Sequence, residues 1–422
     1  MRHLFFTVIT SITFFAFAQD SFDSGQKKLL LASFEEVWAT VKDKHYDPDL
    51  GGVDWQKVYE EYKPRIESAV SMDAGRNTIN EMLGLLKQTH IGVFPAKVYA
   101  DIESGNTGDY TPGIDLRALG GKAIVTTVDE NSPAATAGVK PGWEVLKVDG
   151  KEVAPFIKRM EEHARGLLKE LMASRVVLGM INGQPSELVE IEFHDGRSTK
   201  LLKLDRIAPR GSKFKFGQMP ESYFWVETSS MAEDIRIIRF NQWLNPEAVA
   251  SAFSKIMADT ENTKGFIIDL RGNPGGIGGM AMGAAGWFTS QRGLKLGTML
   301  MRGATINFIV NPRPNATSAP LAVLVDGCSA STTEIFAGGM QDLKRARIFG
   351  TPTAGAALPS AFVRLPNGDG FQYIMANYIS EGGKQLEGSG VIPDEVVRLT
   401  QRELLAGRDS VLDKAIAWIK TQ

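Results

Sequence analysis

The 422-residue chain contains one cysteine, Cys328, so no intrachain disulfide can form. Its five histidines (His3, His45, His90, His163, His194) are scattered, with no H-E-x-x-H pair and no cysteine partners, so a zinc centre is not indicated. Charge of one sign is not concentrated anywhere. Lys plus Arg number 47 against 49 Asp plus Glu, for a net charge of −2, which leaves no footprint for nucleic acid or an acidic membrane as partner. Long apolar runs are also missing. The one from Leu4 to Phe17 is shorter than the ~20 residues a bilayer span needs. Preceded by Arg2 and followed by Ala16-Phe17-Ala18, it reads as a secretory signal peptide over residues 1–18. An exported chain without disulfides, and without a membrane span once that segment is removed, points to the bacterial periplasm or the extracellular space. No cofactor and no metal are expected.

The mature chain carries three textures. From 19 to 105 the apolar residues recur at helical spacing: Leu30, Phe34, Val37, Trp38, Val41, then Met82, Leu85 and Leu86. The breaks are H-Y-D-P at His45–Pro48 and Gly51-Gly52, and a loop from Thr89 to Pro95 closes the segment. From 106 to 206 the pattern is β-rich. It has a strand at Ala123–Val128, a helical stretch from Val153 to Leu178, and a hairpin of Leu188–Phe193 and Thr199–Leu204. From 207 to 422 strand and helix signals alternate, which is the α/β texture of a mostly parallel, buried sheet.

Two glycine-rich corners interrupt that last segment. Asp326–Asp342 (DGCSASTTEIFAGGMQD) follows the apolar run Ala319–Val325 and leads into helical spacing. A strand, a tight turn and a helix in that order would put Ser331 at a helix N-terminus, where unpaired N–H groups favour developing negative charge. The plain alternative is a cap, with Glu334 three residues on closing a capping box. The other corner, R-G-N-P-G-G-I-G-G at Arg271–Gly279, lacks the P-loop ending and the dinucleotide spacing. It reads either as structural turns or as backbone N–H groups brought close to a substrate carbonyl. Cys328 fits inert packing better than a nucleophile.

Two resemblances join these features. Ser132–Gly150 (SPAATAGVKPGWEVLKVDG) resembles the PDZ signature, and PDZ modules bind extended peptides by strand addition. The matching loop is Gly113-Ile114-Asp115-Leu116. Gly113, Ile114 and Leu116 are its candidate peptide-binding residues, and an acidic Asp115 facing the groove would repel a free carboxylate. In the last segment, D-L-R-G-N-P-G-G (Asp269–Gly276), S-A-S-T-T-E-I-F-A-G-G-M-Q-D (Ser329–Asp342), R-A-R-I-F-G-T-P-T-A-G (Arg345–Gly355) and L-E-G-S-G-V-I-P-D (Leu386–Asp394) together resemble the C-terminal processing (tail-specific) serine peptidases and the tricorn core protease. That resemblance implies a crotonase/ClpP-like α/β core with an N-terminal helical segment and an inserted PDZ domain. It puts the nucleophile on Ser331, with oxyanion donors at Thr332 and at Gly275, then Gly276. The tail-specific lysine base would follow G-T-P-T-A-G, but Ala356 stands there. Lys344, thirteen residues along what reads as one helix, is ~20 Å away. The tricorn-like branch uses histidine, and the resemblance then gives His90 as base, with Thr89 and Glu387 orienting it. The implied activity is an exported serine endopeptidase acting on unfolded or extended polypeptide. The alternatives are a catalytically inactive peptide- or lipid-binding protein on the same fold, and a PDZ scaffold that only tethers partners.

Overall fold

The computed structural model describes residues 22–99, 109–164, 166–215, 221–231, 234–258, 260 and 262–422. The signal peptide expected at 1–18 and the boundary expected at 105/106 lie outside the described residues. At the N-terminal end, three helices form where the sequence supplies both cap and stripe. Asp23, Asp54 and Ser71 accept N–H bonds at the starts of Ser24–Lys44, Trp55–Glu67 and Met72–Gly84. The first helix buries Leu30, Phe34, Val37 and Val41 at spacings of four, three and four. This small core is completed from far along the chain by Leu365, Phe371 and Tyr373.

The link is structural as well as apolar. The expected loop Thr89–Pro95 contains a short strand, Gly92–Phe94, which pairs antiparallel with Gly370–Ile374. Arg76 adds a buried ion pair to Asp369 at 2.9 Å. Residues 87–91 are therefore held between the N-terminal helices and the C-terminal half. Three residues are too few to show a period-2 pattern, which is why the strand was not legible.

The second unit is a six-stranded antiparallel sheet whose main path runs Ile114–Leu119, Lys122–Val128, Glu144–Val148, Leu188–His194, Thr199–Asp205, with the short strand Lys151–Glu152 paired to Glu144–Val148. Alternating residues of the fourth strand (Val189, Ile191, Phe193) are fully buried, as one-sided packing requires. The helix expected over Val153–Leu178 is two helices, Ala154–His163 and Lys169–Ile181. The break falls at Ala164, which is extended, and Gly166, whose φ of +51° a helix cannot carry.

The third unit is a six-stranded sheet ordered Val226–Met231, Ile235–Phe240, Gly265–Asp269, Leu321–Val325, Arg347–Gly350, Glu395–Val396. Only the first pairing is antiparallel. Every residue of Gly265–Asp269 and Leu321–Val325 is buried, which explains their unbroken apolar runs. Both central strands end at the same edge of the sheet, where ligand sites of parallel sheets form. One runs into the glycine loop at Arg271, the other into the turn before Ser331. Among the described residues no helix is long and apolar enough to cross a membrane.

Candidate active site

The turn that follows Leu321–Val325 is built around two side chains. Asp326 Oδ1 accepts the N–H groups of Cys328 and Gly272, both at 2.9 Å. Ser329 is fully buried and its hydroxyl donates to the Leu270 carbonyl at 2.8 Å. Ser329 is thereby committed to structure, and Ser331 is the serine left at the surface of the turn. Ser331 sits at φ +56° and ψ −117°, strained for a residue with a Cβ, at a cost of about 1–3 kcal/mol. Helix Thr332–Asp342 begins immediately after it. A serine on a strained strand-to-helix turn is the geometry of a nucleophile elbow.

Glu334 is what holds the elbow. Its carboxylate accepts from the Ser331 N–H at 2.9 Å, the Thr353 hydroxyl at 2.5 Å, the Gly355 N–H at 2.8 Å and the Ala356 N–H at 3.0 Å. Burial pushes this carboxyl up to about 7, against those four donors. The sequence reading credited Glu334 only with a cap. Its side chain reaches a loop twenty residues away, which spacing along one helix could not reveal.

The glycine loop lies against the same turn. A Cβ on Gly275 would come within 2.6 Å of Ser331 Cβ and 2.9 Å of the Thr332 nitrogen, so glycine is required there. The Gly275 N–H donates to Asn273 Oδ1 at 3.0 Å. By contrast, no protein acceptor among the described residues faces the N–H groups of Gly276 and Thr332. Of the two glycines expected from sequence, Gly275, the first choice, packs against Ser331 with its N–H already bonded, and Gly276, the next, packs against Trp243 with its N–H without an acceptor among the described residues.

His90, Thr89 and Glu387 are brought together although they come from opposite ends of the chain. The Thr89 hydroxyl donates to Glu387 Oε2 at 3.0 Å and lies 2.7 Å from His90 Nδ1. Glu387 also accepts the Thr89 N–H at 2.8 Å and the Ala357 N–H at 3.1 Å. A hydroxyl has one proton. With it given to Glu387, the bond to His90 must be Nδ1–H donating to Thr89, which leaves Nε2 as an acceptor. Burial, with the nearby Arg175 guanidinium adding to it, pulls His90 down from 6.5 to about 4. Burial raises Glu387.

The two halves meet through the loop at Ala356. The Ser331 N–H also bonds to the Ala356 carbonyl at 2.9 Å, and the next residue, Ala357, bonds to Glu387. No hydrogen bond joins the Ser331 hydroxyl to the His90 ring in this structure. Lys344 lies beyond the far end of the helix that Ser331 opens: the helix stops at Asp342, and Lys344 follows at φ +53°. Cys328 is buried, and burial raises its thiol further. Helix Lys169–Ile181 of the PDZ-like unit forms one wall, with Leu171 packed on Cys328, Ala330, Ala354 and Ala356.

In the PDZ-like loop, Ile114 and Leu116 bury their side chains in the core of their own unit. The Asp115 carboxylate is bonded to Arg117 and to the Leu116 N–H, at 2.9 Å each. Gly113, at φ +86°, packs so closely on Ser132 that a Cβ would lie 2.2 Å from it.

Residues 234–397 match peptidase family S41, residues 31–84 the tricorn protease C1 domain, and residues 124–179 the PDZ domain. The carboxyl-terminal-processing protease of Synechocystis sp. is 24% identical over 386 residues, covering 88% of this chain and 81% of that protein. The carboxy-terminal-processing protease of Bartonella bacilliformis is 26% identical over 351 residues, 80% of this chain and 73% of its own. Among solved structures, the photosystem II D1 C-terminal processing protease superposes with a TM-score of 0.60 at 22% identity, over 90% of this chain and 98% of that one. The tricorn protease superposes at 0.52 with 16% identity, over 94% of this chain and 37% of its own. At these identities the two structures speak to the fold.

Proposed function

We propose that this chain, which belongs to the S41 family of serine peptidases, cleaves extended polypeptides through an acyl-enzyme formed on Ser331. The observation that carries the reading is the Glu387–Thr89–His90 relay, tied through the Ala356–Ala357 backbone to a strained serine. His90 Nε2 takes the Ser331 proton as the hydroxyl attacks the scissile carbonyl, and later returns it to the leaving amine. Thr89 fixes the tautomer, and Glu387 fixes Thr89 and offsets the charge of the imidazolium. The oxyanion is held by the N–H groups of Thr332 and Gly276. Catalytic hydrogen bonds are often unformed until substrate binds, and the Ser331–His90 bond belongs to that class. Export to the periplasm or beyond, with residues 1–18 as signal, is part of the same proposal.

A base other than lysine explains why Ala356 is tolerated. Its backbone serves Ser331 and Glu334, and a methyl group suffices at that point. The test is cleavage of an unstructured protein by wild type, Ser331→Ala and His90→Ala. Both variants are expected to lose at least about 1,000-fold in kcat. Activity retained by His90→Ala would transfer the base to another residue. Activity retained by Ser331→Ala would end the reading.

A further inference from the structure

We infer that Arg117, a residue of the PDZ-like unit, is a positioning residue for the catalytic turn, and that it joins the peptide edge of that unit to both loops of the active site. The inference rests on the serine-peptidase reading of Ser331.

Arg117 lies on Ile114–Leu119, the edge strand of its sheet, yet it is buried and points into the third unit. Its Nε donates to Asp326 Oδ2 at 2.7 Å. The opposite oxygen of Asp326 holds the Gly272 and Cys328 N–H groups. Nη2 of the same guanidinium also presses on Gly272: a Cβ there would stand 1.9 Å from it. Gly272 and Cys328 start the two loops that present Gly276 and Ser331. One planar fork from another unit therefore sets the distance between oxyanion donors and nucleophile, a distance to which catalysis is steeply sensitive.

The same fork closes the strand edge. Arg117 Nη1 donates to the Leu116 carbonyl at 2.8 Å and to both oxygens of Asp115 at 2.9 Å. Asp115 in turn takes the Leu116 N–H, and Ser174 Oγ from the facing helix takes the Ala118 N–H at 2.9 Å. A peptide strand adding here would need those same backbone groups. It would compete with Arg117, the residue that supports the catalytic turn, for the Leu116 carbonyl, and would have to take the Leu116 N–H from the Asp115 carboxylate that Arg117 holds. Occupancy of the edge and order of the turn are thus linked through one side chain.

The experiment is the rate at which a small fluorophosphonate covalently labels Ser331, a reaction that needs nucleophile and oxyanion hole but no peptide contact with the PDZ-like edge. Arg117→Ala, shown folded by its melting curve, is expected to label about 100-fold more slowly than wild type. Arg117→Lys keeps the charge but not the fork, and is expected to recover only part, remaining about 10-fold slow. Cleavage assays should show the loss in kcat more than in KM. Folded Arg117→Ala labelled at the wild-type rate, with only KM raised, would overturn the inference and make Arg117 a peptide-binding residue. If Arg117→Ala does not fold, Arg117→Lys decides: labelling at the wild-type rate would overturn it. Wild-type protein that is not labelled would instead bring down the peptidase reading, and this inference with it.

Discussion

His90 is where the chemistry is most exposed to measurement. A free imidazole near 6.5 would be mostly protonated at pH 5 and useless as a base. Burial first, and Arg175 second, hold His90 at about 4, so in the proposed mechanism the base is neutral across the whole range above pH 5. The acid limb of kcat/KM is therefore expected between about pH 4 and 5 instead of near 6.5. The sign for stability follows the same way. A depressed folded value means that the neutral form contributes fully above 6.5, and that the contribution is lost as pH falls through 4. A second consequence can be tested at Arg175, whose positive charge helps to keep His90 neutral. In Arg175→Gln the acid limb should move upward, toward 6.5. A pH–rate profile that stays in place would show that burial alone sets the value. Thr89→Val should lower kcat by about 100-fold with little effect on KM, because the ring loses its fixed tautomer while substrate contacts remain.

Between elements, the carboxylate of Glu334 does what no single helix could. It fastens the first turn of Thr332–Asp342 to the loop at Thr353–Ala356 through four donors. Glu334→Ala would strand the two buried N–H groups of Gly355 and Ala356 and loosen the strained Ser331 backbone. The expected cost is about 3 kcal/mol of stability together with loss of turnover. A melting temperature within 1 °C or so of wild type would show that water or a shifted backbone replaces the carboxylate. This element pair also marks how far the sequence could be read. The strand, turn and helix around Ser331 were legible because an unbroken apolar run, a small-residue turn and helical spacing adjoin one another. His90 and Glu387 were legible only through resemblance, since 297 positions separate residues that share one hydrogen-bonded relay. The strand Gly92–Phe94 was too short to carry a period. The break at Ala164–Gly166 was hidden by helical spacing on both sides of it. Glu334 had a local bland reading as a cap, Asp326 stood only as the start of a turn, and Arg117 carried no signal at all, because their partners lie in other elements. Patterns along the chain report which face is buried and say nothing of what that face meets.

At the scale of the whole molecule, the seam between the PDZ-like unit and the peptidase core carries buried charge beside its apolar contacts. Glu170, one residue into helix Lys169–Ile181, presses on Gly327: a Cβ there would sit 2.6 Å from Glu170 Oε2. A cavity of about 400 Å³ beside it is lined by Arg117, Glu170, Arg271, Asp326 and Arg398. Burial and the negative Asp326 push Glu170 up to about 7, while Arg117 and Arg398 act in the opposite direction. The folded value lies above the 4.5 of the free carboxyl. The contribution of Glu170 to stability is then complete below pH 4.5 and is lost as pH rises through 7, when a second carboxylate appears beside Asp326. The loss is on the order of 2 kcal/mol, after allowance for the water that reaches this seam. Glu170→Gln keeps the shape of the neutral acid and cannot ionise. Its melting temperature should match wild type at pH 5 and exceed it by several degrees at pH 8.5. Parallel curves for the two proteins from pH 5 to 8.5 would mean that Glu170 ionises without cost, with Arg117 and Arg398 sufficient to balance both carboxylates. A gain confined to alkaline pH would identify this seam as the place where the two units part first, and the wall of the active-site cleft is built on that seam.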